Sequence, residues 1–159
     1  MNMNTNILIC SHDPVLRQAA RDALAEDGFA VALAHNSYET LDQPDLAAVE
    51  LVVLDVDYRG KDAWDLVEWL LENKPTTPIV LLTSARGGVE WALVATVSIT
   101  LEKPVPPARL LEVVRNLLDE PTPQRLHRNS SQRLAVRSAR PYVWLAPVPA
   151  AHRGCGIND

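Results

Sequence analysis

The sequence predicts an open α/β fold, with a parallel sheet covered by helices on both faces. Three observations carry that reading. Short apolar runs rich in branched residues recur along the first part of the chain: Ile7-Leu8-Ile9-Cys10, Leu51-Val52-Val53-Leu54 and Ile79-Val80-Leu81-Leu82. Between them lie longer stretches with apolar residues at helical spacing, and strands alternating with helices require right-handed crossovers and a buried parallel sheet. Each run also ends in polar groups. Asp55 closes the central run, Ser11-His12-Asp13 the first, Thr83-Ser84 the fourth, and Glu102-Lys103-Pro104 follows Val97–Leu101. The C-terminal edge of such a sheet is where ligands and chemistry gather.

Taken in order, the first strand is expected over Asn6–Cys10. Asp13-Pro14 reads as an N-cap followed by Pro at N1, opening a helix to about Asp27. Val15, Leu16, Ala19, Ala20, Ala23 and Leu24 give it an apolar stripe, and Gly28 is its C′ stop. Phe29–Ala34 forms a second strand, and Asn36-Ser37 caps a short helix through Leu41. The central strand spans 51–55. Asp62 then caps a third helix, Ala63–Asn73, with Leu66, Val67, Leu70 and Leu71 facing inward. Strand four follows Pro78, a short fourth helix covers 89–95, and strand five covers Val97–Leu101. Pro106-Pro107 starts a fifth helix to about Leu118, with Leu110, Leu111, Val113, Val114, Leu117 and Leu118 as its buried stripe.

After Glu120 the pattern stops. The chain therefore divides into a domain at 1–119 and a tail at 120–159, rich in Pro and Arg and expected to be irregular or partly disordered. A short basic helix over Arg125–Val136 and an apolar anchor, Tyr142-Val143-Trp144-Leu145, are its two structured options.

Composition narrows the function. The 159 residues are 47% hydrophobic with net charge −5, ample for one soluble domain. Residues 1–119 carry 9 Lys/Arg against 18 Asp/Glu, net −9, whereas residues 120–159 carry 6 Arg against 2 acids, net +4. So acidic a body is not expected to grip nucleic acid by itself. Cys10 and Cys155 form neither a disulfide framework nor a metal spacing. The polar N-terminus is no signal peptide and no run approaches membrane-spanning length, so a cytoplasmic protein without membrane contact is expected.

Asp55 after the third strand, Thr83 after the fourth, Lys103-Pro104 after the fifth and Gly60 in the loop beyond Asp55 stand in one order and spacing. In that order, residues 6–118 resemble the receiver domain of two-component response regulators. The resemblance implies a flavodoxin-like (βα)5 three-layer sandwich with sheet order 2-1-3-4-5. It also implies roles. Asp55 would accept a phosphoryl group from a histidine kinase, Lys103 would receive its charge, and Thr83 would supply a hydroxyl. Mg²⁺ would be held by an acidic pair at the end of strand one, by Asp55 and by the main-chain carbonyl of Asp57. A cis bond at Lys103-Pro104 would aim the lysine.

The sequence departs from that pattern at the acidic pair, whose positions hold Ser11 and His12. Serine is neutral, and imidazole suits Zn²⁺ or Cu²⁺ better than Mg²⁺, so at most weak Mg²⁺ binding is expected and no other cofactor. Asp13 does not substitute, because its place before Pro14 keeps it as the helix cap. Thr100 replaces the aromatic residue that moves on activation in the family, Ala63 replaces a common Gly, and the stretch from Thr83 to Lys103 is short. His12 has three readings: a neutral imidazole of fixed tautomer, an imidazolium joining Lys103 against Asp55 in place of the metal, or a ligand for a soft metal.

The reading is an atypical receiver, not an enzyme, that signals by protein–protein contact with little Mg²⁺-dependent phosphorylation. Its partner would be a histidine kinase, a phosphotransfer protein or an output protein. A homodimer would form through the face from strand four to helix five, where Trp91 lies. One alternative is a stand-alone response regulator phosphorylated at Asp55. Another is a nucleic-acid-associated regulator working through the basic tail. Trp64 and Trp69, five positions apart, cannot share one narrow stripe, so one is expected at the core edge and the other partly exposed.

Overall fold

In a computed structural model of the chain, residues 5–43, 45–56, 60–84 and 97–126 are described. The elements run β1 (Asn6–Cys10), α1 (Pro14–Glu26), β2 (Ala30–Ala34), α2 (Ser37–Leu41), a 3-10 turn (Leu46–Ala48), β3 (Val49–Val56), α3 (Gly60–Asn73), β4 (Ile79–Ser84), β5 (Ile99–Lys103) and α4 (Pro107–Asp119). All strand pairs are parallel and the order is β2-β1-β3-β4-β5. This is the flavodoxin-like sheet the sequence predicts.

Strand alternation divides the core into two halves. Leu8, Val52, Leu54 and Leu81 face α3, meeting Leu66, Val67 and Leu70. Ile7, Ile9, Leu51, Val53 and Leu82 face the other way, onto Leu24 of α1 and Leu110, Val113 and Val114 of α4. Because both faces are covered, the central strands read as unbroken apolar runs rather than alternating ones.

The caps fall where the sequence places them. Asp13 accepts from the Val15 N–H at 2.9 Å and the Leu16 N–H at 3.2 Å. Asn36 accepts from the Glu39 N–H at 2.8 Å, and Gly28 takes φ 92°, a left-handed conformation that a Cβ disfavours.

Four boundaries move. β2 begins at Ala30 rather than Phe29, and β3 extends to Val49–Val56. α3 begins at Gly60, so Asp62 lies within the helix rather than at its cap. β5 lies at Ile99–Lys103, two residues later than Val97–Leu101, and Lys103 becomes the last residue of the strand. Ser98 sets that shift: its Oγ accepts from the Ile79 N–H at 3.0 Å and its N–H donates to Ile79 O at 2.9 Å, so the ladder starts at Ile99.

Trp64 and Trp69 are both half-buried and both pack at the edge of the core on the α3 side, so the two share one environment rather than dividing between core edge and partial exposure. They flank the buried stripe of Leu66, Val67 and Leu70 from opposite sides, and a face this wide has room for both. The expected helix at 89–95, with Trp91, lies outside the described residues. So does the tail beyond 126. At its start, 122–126 is a helical turn rather than irregular chain. The Arg125 guanidinium reaches back to the carbonyls of Leu118 and Glu120 and caps the end of α4.

Two polar straps close the end of the sheet opposite Asp55. The Lys74 ammonium donates to the carbonyls of Ala47 at 2.6 Å, Leu46 at 3.4 Å and Val49, tying the end of α3 to the start of β3. Burial pushes its pKa below the usual lysine value. Lys74→Met should cost about 1–2 kcal/mol in urea denaturation, because those part-buried carbonyls lose their donor. An unchanged midpoint would mean water replaces the ammonium freely.

The second strap joins α4 to the end of α1, where Arg115 donates to Asp27 through Nε at 2.8 Å and also through Nη2. These bonds hold the Asp27 carboxyl below its ordinary pKa. A depressed carboxylate pKa adds stability above the unfolded value, and that stability is lost as pH falls through the folded value. Arg115→Gln should therefore lower the denaturation midpoint at neutral pH, with the difference from wild type closing on acidification through the carboxylate range. A difference that persists in acid would assign the effect to packing of the arginine stem.

Candidate functional site

The patch forms at the C-terminal edge of the sheet, at the ends of β1, β3 and β5. Residues Ile7, Ile9, Leu51, Val53, Leu82 and Leu101 share one face, so Ser11, Asp55 and Lys103, each a further even step along, share it too. Asp55 is 7% exposed and Ser11 1%. The Ser11 hydroxyl donates to Asp55 Oδ2 at 2.5 Å, and Lys103 Nζ meets Oδ1 at 2.5 Å. Both carboxylate oxygens are thus engaged by short contacts, one neutral and one charged. Ser11 Oγ also accepts from the Asp13 N–H at 3.0 Å, which locks the hydroxyl so that its proton points at Asp55. The Lys103-Pro104 peptide is cis, as the resemblance implies.

His12 is not part of this contact set. It is exposed, and its ring stands edge-on to His35 with centroids 5.0 Å apart. The Arg17 guanidinium lies 3.0 Å from His35 Nδ1 and donates to the Ser11 carbonyl at 2.5 Å. Ser11 and Lys103, rather than an imidazolium, therefore meet Asp55. One residue beyond Ser11 the side chain turns to the opposite face, which carries His12 away from the carboxylate. A signal for the Arg17–His35 pair was present in the sequence only as an arginine one helical turn beyond the cap, too common to single out.

Thr83 lies at the same edge, one residue past Leu82, which is the position level with Asp55. It is half-buried, and its hydroxyl makes a loose 3.4 Å contact with the Ser84 carbonyl. Thr100 pairs with Leu81, further down the sheet. Its hydroxyl is buried and has no hydrogen-bond partner among the described residues. Sequence position groups Thr83 and Thr100 with Asp55, but the alternation of β4 and β5 gives them the opposite parity from Leu82 and Leu101. Asp57, the expected main-chain ligand, lies outside the described residues.

The described donor set does not suit Mg²⁺, which takes near-octahedral oxygen ligands anchored by carboxylates. Asp55 is engaged by an ammonium and a hydroxyl. No group of three or more His, Cys, Asp or Glu that could hold a metal occurs among the described residues.

The model of the response regulator receiver domain matches residues 7–115. The chain belongs to the response regulator receiver family. This receiver is 30% identical over 138 residues to the response regulator MprA of Mycobacterium bovis (strain BCG / Pasteur 1173P2), a match covering 85% of this chain and 58% of the relative. It is 34% identical over 120 residues to the C4-dicarboxylate transport transcriptional regulatory protein DctD of Pseudomonas aeruginosa, covering 72% of this chain and 25% of that one. The chain thus spans little more than half of the first relative and a quarter of the second.

Among solved structures, the receiver superposes on a response regulator receiver domain protein of Methanospirillum hungatei JF-1 with a TM-score of 0.63. That match has 22% identity and covers 72% of this chain and 94% of the other. The response regulator TrrA of Thermotoga maritima, solved in complex with Mg²⁺ and beryllofluoride, gives 0.62 at 23% identity, covering 71% and 98%. These likenesses establish the fold. Receivers are signalling modules of two-component systems. Among the described residues of this one, no helix is long and apolar enough to cross a membrane.

Proposed function

We propose that this receiver signals by protein–protein contact in a two-component phosphorelay, with weak or no Mg²⁺-dependent phosphorylation at Asp55, and that it is not an enzyme. One observation carries the reading. The carboxylate a metal-dependent switch would leave open is closed at both oxygens, by Ser11 and by Lys103. Ser11 stands where the family has an acid, and a hydroxyl there donates to Asp55 where a carboxylate would repel it. The site then acts as a fixed scaffold, holding the ends of β1, β3 and β5 in one arrangement. Its partner is a signalling protein, in the cytoplasm, that reads the face running from β4 to α4; a second copy of the chain is the other candidate for that face.

A second reading keeps Asp55 as a phosphoacceptor, and the Lys103 contact favours it, since a cation at that point would also receive phosphoryl charge. One titration separates the two. Amide NMR or tryptophan fluorescence is followed as Mg²⁺ is added, then beryllofluoride, which mimics an acyl phosphate. The scaffold reading expects no saturable response with the fold intact. Saturation at low-millimolar Mg²⁺, with a beryllofluoride shift abolished by Asp55→Asn, would establish the live switch instead.

A further inference from the structure

Beside Asp55, the first turns of α1 and the segment leading into α4 enclose a cleft of about 420 Å³. Val15, Leu16, Ala19, Val105, Pro107 and Leu110 line it, with Asp13 and Lys103 on its rim. Val15 is 76% exposed, one of three large hydrophobic residues left open among the described residues. Exposed apolar surface gathered into a cleft, rather than scattered, marks an interaction site. We infer that this cleft is the docking site of the chain's own segment 141–149, Pro-Tyr-Val-Trp-Leu-Ala-Pro-Val-Pro.

Three arguments select that occupant. The first is chemistry. The segment carries Tyr142 and Trp144, flat side chains suited to a cleft of this size, and no charged residue. Pro141, Pro147 and Pro149 limit the backbone freedom it loses on docking. The second is charge. The body at 1–119 is net −9 and the tail at 120–159 net +4, so the tail is drawn to the body it is tied to.

The third is reach. Pro107 and Leu110 place the start of α4 at the cleft, and Arg125 holds the following chain against the opposite end, at Leu118 and Glu120. The 13 residues of α4 span about 20 Å. From Leu126 to Trp144 there are 18 residues, and a random coil of that length has a root-mean-square span of about 23 Å. Linker and gap match, the condition for the greatest effective concentration, which for short flexible linkers is of millimolar order. A contact that would be half-saturated only at about a millimolar peptide is then about half-formed within one chain.

The test uses the full chain. Ala146→Cys in a Cys155→Ser background carries a nitroxide two residues from Trp144. Cys10 stays unlabelled, being 3% exposed with its thiol pKa raised by burial. The expected result is severalfold stronger broadening of the amides of Val15 to Ala19, Lys103 and Val105 than of those in β2. Trp144→Ala and, separately, Val15→Glu should abolish the difference. Val15 is exposed, and the unlabelled spectrum verifies that each variant is folded. Broadening that is uniform, centred elsewhere, or indifferent to both substitutions would overturn the inference. So would broadening of an isotope-labelled chain by a nitroxide on a second, unlabelled copy, which would place the tail on a neighbour. None of these outcomes depends on whether Asp55 responds to Mg²⁺.

Discussion

Lys103→Met is expected to destabilise the receiver by about 3 kcal/mol at neutral pH, among the largest effects of any single substitution at the edge of the sheet. The side chains of Lys103 and Asp55 are 15% and 2% exposed, and their contact is 2.5 Å. Removing the ammonium leaves a carboxylate buried among β1, β3 and β5 with a neutral hydroxyl for company. Such a group costs more alone than the pair contributes together. The double variant Asp55→Asn/Lys103→Met should therefore recover most of the loss, because the buried charge has gone as well. Denaturant midpoints at constant slope measure both. A single-variant cost within about 0.5 kcal/mol, the range of an ordinary surface change, would show that the carboxylate reaches water or another donor without Lys103.

The second large effect is a gain. Under the proposed function, Ser11→Asp/His12→Asp should make the receiver's stability depend on Mg²⁺. Without Mg²⁺ the carboxylate introduced at position 11 crowds Asp55, where like charges repel, and the hydroxyl that now donates to Oδ2 is lost, so the midpoint falls. With Mg²⁺ the same acids become ligands, and stability returns by mass action, about 2.7 kcal/mol at a hundredfold excess over the dissociation constant. The wild-type midpoint should not move over the same Mg²⁺ range. If wild type rises in parallel with the variant, the proposed function is wrong, because its own residues would then hold the ion.

Much of this was legible in the chain before folding. The apolar runs of β1, β3 and β4, the Asp13-Pro14 and Asn36 caps and the Gly28 stop each report a local requirement: burial on both faces, an unpaired N–H, a left-handed turn. Local requirements are written locally, so those elements were read within a residue or two. The start of α3 and the register of β5 were not. β5 is placed by the exchange between Ser98 and Ile79, residues far apart in the chain, and a serine carries no sign of which backbone it will meet.

The site divides the same way. The order of Asp55, Thr83 and Lys103 and the loss of the acidic pair at Ser11 and His12 are matters of residue type and spacing. They identify the family and the departure from it. Which neighbour answers Asp55 was decided only by tertiary structure. The sequence offered His12 as the companion of Lys103 against Asp55, and the fold instead turned Ser11 onto the carboxylate and His12 out to His35. The parity that separates Thr83 and Thr100 from Lys103 is likewise meaningful only once strands lie side by side in a fixed register. The chain determined by itself what each strand presents at its end. Packing the strands into one sheet decided which of those groups touch, because a contact between residues 44 or 48 positions apart exists only after the intervening chain has folded.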